Sequence, residues 1–221
     1  MTTSYNRIAG TNVERIAGLS DALFAIALTI MVLEIRVPSG VRVSTESELM
    51  AALATLAPRV LTYLLSFLTV GIFWVGQQTF LNHLRMTDRN LTWLELAYLA
   101  TIAVMPFSTA VLAEFITFRT ALLLYWANIL ATGLVSLATL RYAERAGFVT
   151  EGPGEEAIHA LRRRLVVGQT LYAFGASLCL ANTYWSIGFI VLVQLYFAVA
   201  PRLPRGKAQA AAKAGAGGDV G

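Results

Sequence analysis

Apolar residues recur along this chain in runs long enough to cross a lipid bilayer, and the charges fall mostly between the runs. The runs lie at about 16–35, 59–82, 91–113, 120–140, 165–183 and 185–200. A helical crossing takes about 20 residues, because the hydrocarbon core is about 30 Å thick and a helix rises about 1.5 Å per residue. Inside that core each backbone N–H and C=O must find its partner within the segment, which runs of this length do as helices. Composition agrees: 57% of the 221 residues are hydrophobic and 14% charged, whereas a soluble chain carries about 25% charged residues. The expected fold is an all-α, polytopic membrane protein with six transmembrane helices in one domain, residues 1–202. An Ala-, Gly- and Lys-rich tail over 203–221 lacks apolar periodicity and is read as disordered.

The connections carry their own signals. After the first run come Pro38-Ser39-Gly40 and then Thr45-Glu46-Ser47-Glu48, in which Thr45 and Glu48 form a capping-box pattern for a short helix through Leu56. Pro58 restarts the chain as the second span. The longest polar connection, about 141–164, holds Gly152-Pro153-Gly154, a helix start favoured by Glu155 and Glu156, and Arg162-Arg163-Arg164 at the membrane edge. The first run is read as a retained helix, not a signal peptide, since Asp21 interrupts it and Glu34-Ile35-Arg36-Val37-Pro38 stands where small residues would.

Lysine and arginine choose the orientation. With the amino terminus inside, Arg7, Arg15, Arg85, Arg89, Arg141, Arg145, Arg162, Arg163, Arg164, Arg202, Arg205, Lys207 and Lys213 are cytoplasmic, thirteen of seventeen. Only Arg36, Arg42, Arg59 and Arg119 fall outside. The positive-inside rule thus favours both termini in the cytoplasm, as an even number of spans requires. The formal charge of +4 is explained by topology, so no nucleic-acid partner is expected.

Ser20 and Asp21 lie inside the first span. If the hydrocarbon begins near Ile16, Asp21 sits roughly 7–8 Å deep, where even lenient scales put the cost of a centrally placed carboxylate at about 2.5 kcal/mol. The second span runs inward and ends near Asn82, so the stretch FWVGQQ, residues 73–78, shares that depth. Its Trp74 indole and its Gln77 or Gln78 amide are expected to donate to Ser20 and Asp21, with Arg15 at the boundary. Such a network lowers the desolvation cost and holds the helix in one rotation. On the other side of the first helix, at about 100° per residue, Ile26, Ile30 and Leu33 fall within about 60° of one another and Leu19 and Leu23 continue the stripe. Periodicity alone leaves open whether that stripe meets neighbouring helices, lipid or a conduction path.

Arg15, Ser20-Asp21, Ala25-Ile26, Thr29 and Leu33-Glu34 resemble the Arg-x-x-x-Phe-Ser-Asp signature of the transmembrane protein 175 family, potassium channels of endolysosomes with bacterial relatives. The likeness extends through GIFWVGQQ (71–78), LRMTDRNLTWLEL (84–96) and MPFSTA (105–110). Two departures stand out. Leu19 occupies the aromatic position, and Gln77-Gln78 replace a histidine pair common in bacterial members; glutamine can still hydrogen-bond at that position but cannot titrate. The resemblance implies a homotetramer around a central pore lined by the first helix. Ile26 would be the constriction, with Ile30 and Leu33 as aliphatic layers above it and Thr29 as a pore-proximal hydroxyl. Such a ring gates by dewetting, because aliphatic walls cannot replace an ion's hydration shell.

Other chemistries have little support. TVGIF (69–73) begins like a carbonyl selectivity filter but lacks the second glycine and lies in an unbroken helical run. His83 and His159, read as connection residues, have no acid at metal-ligand spacing, and the single Cys179 excludes an intrachain disulfide and a thiolate cluster. Glu95 is expected to join the inner polar network or pair with Arg89, and Glu34 and Glu114 to lie near outer helix ends. The resemblance, with these readings beside it, implies a non-enzymatic, passive cation channel without cofactor, with potassium as the permeant ion and modest selectivity over sodium. Its setting is the lipid bilayer of a bacterial plasma membrane. A secondary transporter using Asp21 as a proton or ion ligand is the rival, opposed by the missing inverted repeat. A non-conducting scaffold is a third possibility.

Overall fold

A computed structural model describes residues 12–37 and 43–199. Pro38-Ser39-Gly40, Arg42, Arg7, and the expected tail with Arg202, Arg205, Lys207 and Lys213 lie outside the described residues.

The described chain is helical throughout: α1 (Val13–Val32), α2 (Glu46–Ala54), α3 (Ala57–Leu81), α4 (Arg89–Ala103), α5 (Met105–Glu114), α6 (Arg119–Arg145), α7 (Pro153–Ser177), a 3₁₀ turn (Leu178–Leu180) and α8 (Thr183–Val199). Local chemistry explains the boundaries. Asn12 caps α1 by accepting from the Arg15 amide at 3.1 Å. The capping box of α2 is complete, with Thr45 Oγ1 accepting from the Glu48 amide and Glu48 accepting from the Thr45 amide. The second Glu48 contact, to the Ser44 amide at 2.7 Å, helps hold its carboxyl below the usual carboxylate range. Asp88 caps α4. Pro106 separates α4 from α5: a proline ring clashes with the carbonyl four residues back, so the expected third span is two helices hinged at Val104. Gly152, at φ 67°, supplies the left-handed residue before Pro153 that starts α7.

Among the described residues four segments are long and apolar enough to cross a membrane: Val13–Val32, Ala57–Leu81, Arg89–Glu114 and Arg119–Arg145. Of the remaining pair, the sixth helix, Thr183–Val199, falls on the expected 185–200, whereas the fifth departs from the expected 165–183. The fifth, α7, starts at Pro153 and ends at Ser177, its amino-terminal half carrying the arginines, and the sixth, α8, is 17 residues long. A hydropathy reading sees only the apolar half of α7. The helix continues outward because Ile158, fully buried, anchors its polar turns against Phe80, Leu140 and Phe148.

Helix α3 is the hub, packing on α1, α5, α7 and α8, while α1 packs chiefly on α3, α4 and α5. One core cluster runs from Phe24 and Met31 through Leu65, Phe73, Tyr98 and Tyr125 to Ile190, and a second gathers Ile16, Phe80, Leu91 and Leu140 at the end of α1 that begins the helix. Lipid is as apolar as leucine, so helices in a bilayer associate through close packing and interhelical hydrogen bonds. The buried face of α3 supplies such bonds. Thr109 donates to Ser66 at 2.7 Å, Thr69 and Tyr125 share a bond at 2.9 Å, and Gln194 donates to Thr69. At the α3–α4 and α6–α7 turns, the Arg85 amide donates to Phe148 at 3.0 Å and the Thr150 amide to His83 at 2.9 Å, around an isolated Leu84–Val149 antiparallel bridge. That clip joins two connections at the same end of the bundle.

Candidate functional site

The rotation of α1 is set at three levels. Ile16, Ser20, Phe24, Ala27 and Met31 form its buried face. Midway along, the Phe24 ring lies 6.2 Å from that of Tyr98, whose hydroxyl donates to the Phe73 carbonyl at 3.2 Å. Toward its carboxyl end, Thr109 Oγ1 lies 3.8 Å from Met31 Sδ. Toward its amino end, the Trp74 indole N–H donates to Asp21 Oδ1 at 3.0 Å and the Gln78 amide donates to the same oxygen.

The expected polar residues divide between two places. Trp74 and Gln78 meet Asp21 on the exposed side of the α1–α3 contact. Gln77 turns inward and donates to Glu95, which is 1% exposed. Ser20 lies on the buried face, and its hydroxyl has no hydrogen-bond partner. The Arg15 side chain is exposed and makes no bond to Asp21; its backbone amide is the group that the Asn12 cap uses. Sequence depth placed Glu95 near this layer without separating two settings, one facing outward around Asp21 and one internal around Glu95. The sequence offered Glu95 the inner polar network or Arg89, and the structure gives it the Gln77 amide as donor; the signal was Glu95 itself, an acid within an apolar run. His159 lies within α7, not in a connection, where its ring is 2.8 Å from the Arg162 guanidinium; His83 bonds the Thr79 carbonyl at the end of α3. Cys179 is buried and free. Among the described residues no cluster of His, Cys, Asp and Glu could hold a metal ion.

The aliphatic stripe is largely uncovered. Leu19 is 48% exposed, Ile26 57%, Ile30 43% and Leu33 68%, with Leu23 half-buried beside them. Thr29 is also exposed, its hydroxyl donating to the Ala25 and Ile26 carbonyls at 2.9 Å and so adding no unpaired donor to the surface. Asp21 lies about 150° round the helix from the mean direction of Ile26, Ile30 and Leu33. Polar anchor and aliphatic stripe therefore occupy opposite flanks of the buried face.

The sequence model of the family described as "Endosomal/lysosomal potassium channel TMEM175" matches residues 15–106. A potassium channel of Chamaesiphon minutus is 29% identical over 189 residues, covering 84% of this chain and 93% of that one. A potassium channel of Streptomyces collinus is 29% identical over 188 residues, covering 83% and 90%. The human endosomal/lysosomal proton channel TMEM175 is 28% identical over 193 residues, 37% of its length. The crystal structure of a lysosomal potassium-selective channel TMEM175 homolog from Chamaesiphon minutus superposes with a TM-score of 0.72 at 27% identity, covering 85% of this chain and 96% of that one. The matched family and these relatives are ion channels, not enzymes.

Proposed function

As a relative of the TMEM175 family of cation channels, this protein is, we propose, a passive, potassium-preferring channel of a bacterial plasma membrane, with four copies surrounding a central pore. Each copy crosses the bilayer six times with both termini in the cytoplasm, and potassium is the permeant ion. The single observation that carries the reading is the exposure of the α1 stripe in the isolated subunit. Three levels of side-chain contact hold α1 so that Leu19, Ile26, Ile30 and Leu33 stay outside the subunit's own core. Four copies arranged cyclically would bring those stripes to one axis.

In that assembly Ile26 forms the narrowest ring. Its wall is aliphatic, so an ion crossing it keeps its own water or loses hydration without replacement, and the ring conducts when it widens enough to stay wet. Ile30 and Leu33 extend the apolar length toward the outer mouth, and Leu23 does so toward the inner one. Asp21, Trp74 and Gln78 serve as the anchor that keeps α1 from rotating, with Ser20 and Gln77 near the same depth and Arg15 at the membrane boundary. Gln77 acts there through Glu95.

Purified protein in liposomes tests the reading. Potassium flux should be rapid and passive, larger than sodium flux and absent for an impermeant organic cation. Native mass spectrometry in mild detergent should give a tetramer. Flux that saturates or requires a coupled gradient would instead favour the carrier, with Asp21 as its ligand. Monomers alone would remove the pore.

A further inference from the structure

A cavity of about 680 Å³ opens at the end of the bundle where α1 and α5 stop and α3 starts. Two guanidinium groups and two carboxylates line it: Arg36 and Arg59, Glu34 and Glu114. Arg59 and Glu114 already face each other, Nη2 to Oε2, at 2.6 Å. Arg36 and Glu34 have no side-chain hydrogen bond or ion pair among the described residues, so half of the charge in the cavity is free to meet a ligand. Phe107 and Phe115, both exposed, contribute to its apolar lining.

These features constrain the ligand. A simple anion would gain two guanidinium groups but meet two carboxylates, and a simple cation would meet the reverse. A zwitterion with a phosphate at one end and an ammonium at the other satisfies both pairs. Guanidinium forks match phosphate oxygens geometrically, while carboxylates accept from an ammonium. The aromatic side chains suit a ligand with an apolar continuation, and the cavity lies where the membrane-length helices end. We propose that this cavity binds the headgroup of a zwitterionic phospholipid of the phosphoethanolamine type. Arg36 and Arg59 hold the phosphate, Glu34 and Glu114 hold the ammonium, and Phe107 and Phe115 lie against the first acyl methylenes. The proposal rests on the reading that these helices cross a bilayer, but not on conduction through α1.

The test uses the full chain in detergent and reads thermal unfolding against added dihexanoyl phosphatidylethanolamine, dihexanoyl phosphatidylglycerol and free phosphoethanolamine. The expected result is a saturable rise in the unfolding midpoint with phosphatidylethanolamine, at about tenfold lower concentration than with phosphatidylglycerol, which lacks the ammonium. Arg36→Gln and Glu34→Gln, both at the surface and outside the packed core, should each weaken the response. Arg163→Gln, exposed on α7 away from this cavity, should leave it unchanged. An equal response to both lipids that survives Arg36→Gln and Glu34→Gln would overturn the proposal. Free phosphoethanolamine acting as strongly as the lipid would overturn the phospholipid assignment in favour of a soluble zwitterion. Because binding is read without ion flux, protein that binds the lipid but passes no potassium would count against the channel reading alone.

Discussion

Trp74 Nε1 donates to Asp21 Oδ1 at 3.0 Å, joining α3 to α1. Gln78 donates to the same oxygen, so one carboxylate answers two donors from successive turns of α3. Losing the acceptor is therefore worse than losing either donor.

Asp21→Ala should leave the indole and the amide unpaired in a region of low dielectric and cost about 1–3 kcal/mol. Trp74→Phe keeps the ring and one donor to Asp21, and should cost about 1 kcal/mol. Thermal unfolding, tetramer content and potassium flux on one preparation check this. An anchor predicts that Asp21→Ala lowers stability and assembly. A transport ligand predicts normal assembly with flux alone abolished.

The Gln77–Glu95 contact is internal to the subunit, and removing its donor strands a buried carboxyl. Gln77→Leu should destabilise by about 1–3 kcal/mol, because Glu95 loses its described hydrogen-bond partner. Glu95→Gln keeps a polar side chain of the same shape and should be the milder change. Unfolding midpoints of the two variants rank them, and midpoints equal to that of the unmodified protein would show that the contact contributes nothing.

Ile26 and Leu28 separate conduction from packing. Ile26 is exposed on the stripe, whereas Leu28 is half-buried against the core and about 160° away around the helix. Ile26→Asn should put amides at the constriction, keep it wet, raise monovalent currents and reduce discrimination between potassium and sodium. Leu28→Asn should mainly lower the unfolding midpoint. Unchanged currents in a correctly assembled Ile26→Asn tetramer would mean that α1 does not line the path.

The α2 cap responds to pH in a known direction. Glu48 accepts from the Ser44 and Thr45 amides, which lowers its folded pKa. The contribution of its charged form is complete above the unfolded carboxylate value of about 4.5 and is lost as pH falls through the lower folded value. Thr45→Ala should remove about 1 kcal/mol of local helix stability at neutral pH. Hydrogen exchange at the Glu48 amide, which Thr45 Oγ1 accepts, reads both effects without requiring global unfolding.

Apolar length, capping chemistry and proline placement were legible in the residues themselves, because each acts within a few positions of its own sequence. They located the first four spans to within a few residues, the Thr45–Glu48 box and the helix start around Gly152-Pro153. They also brought Asp21 and FWVGQQ to one depth, since depth is a count of residues multiplied by the helical rise. Rotation is different. Each residue turns the helix by about 100°, so neighbours at the same depth face different partners. Only packing could therefore decide that Gln78 and not Gln77 meets Asp21, that Gln77 meets Glu95, and that Ser20 points into the core without a partner. The same packing left Leu19, Ile26, Ile30 and Leu33 uncovered. Periodicity showed that they share a face, and the contacts of Phe24, Met31 and Asp21 with their neighbours determined where that face points.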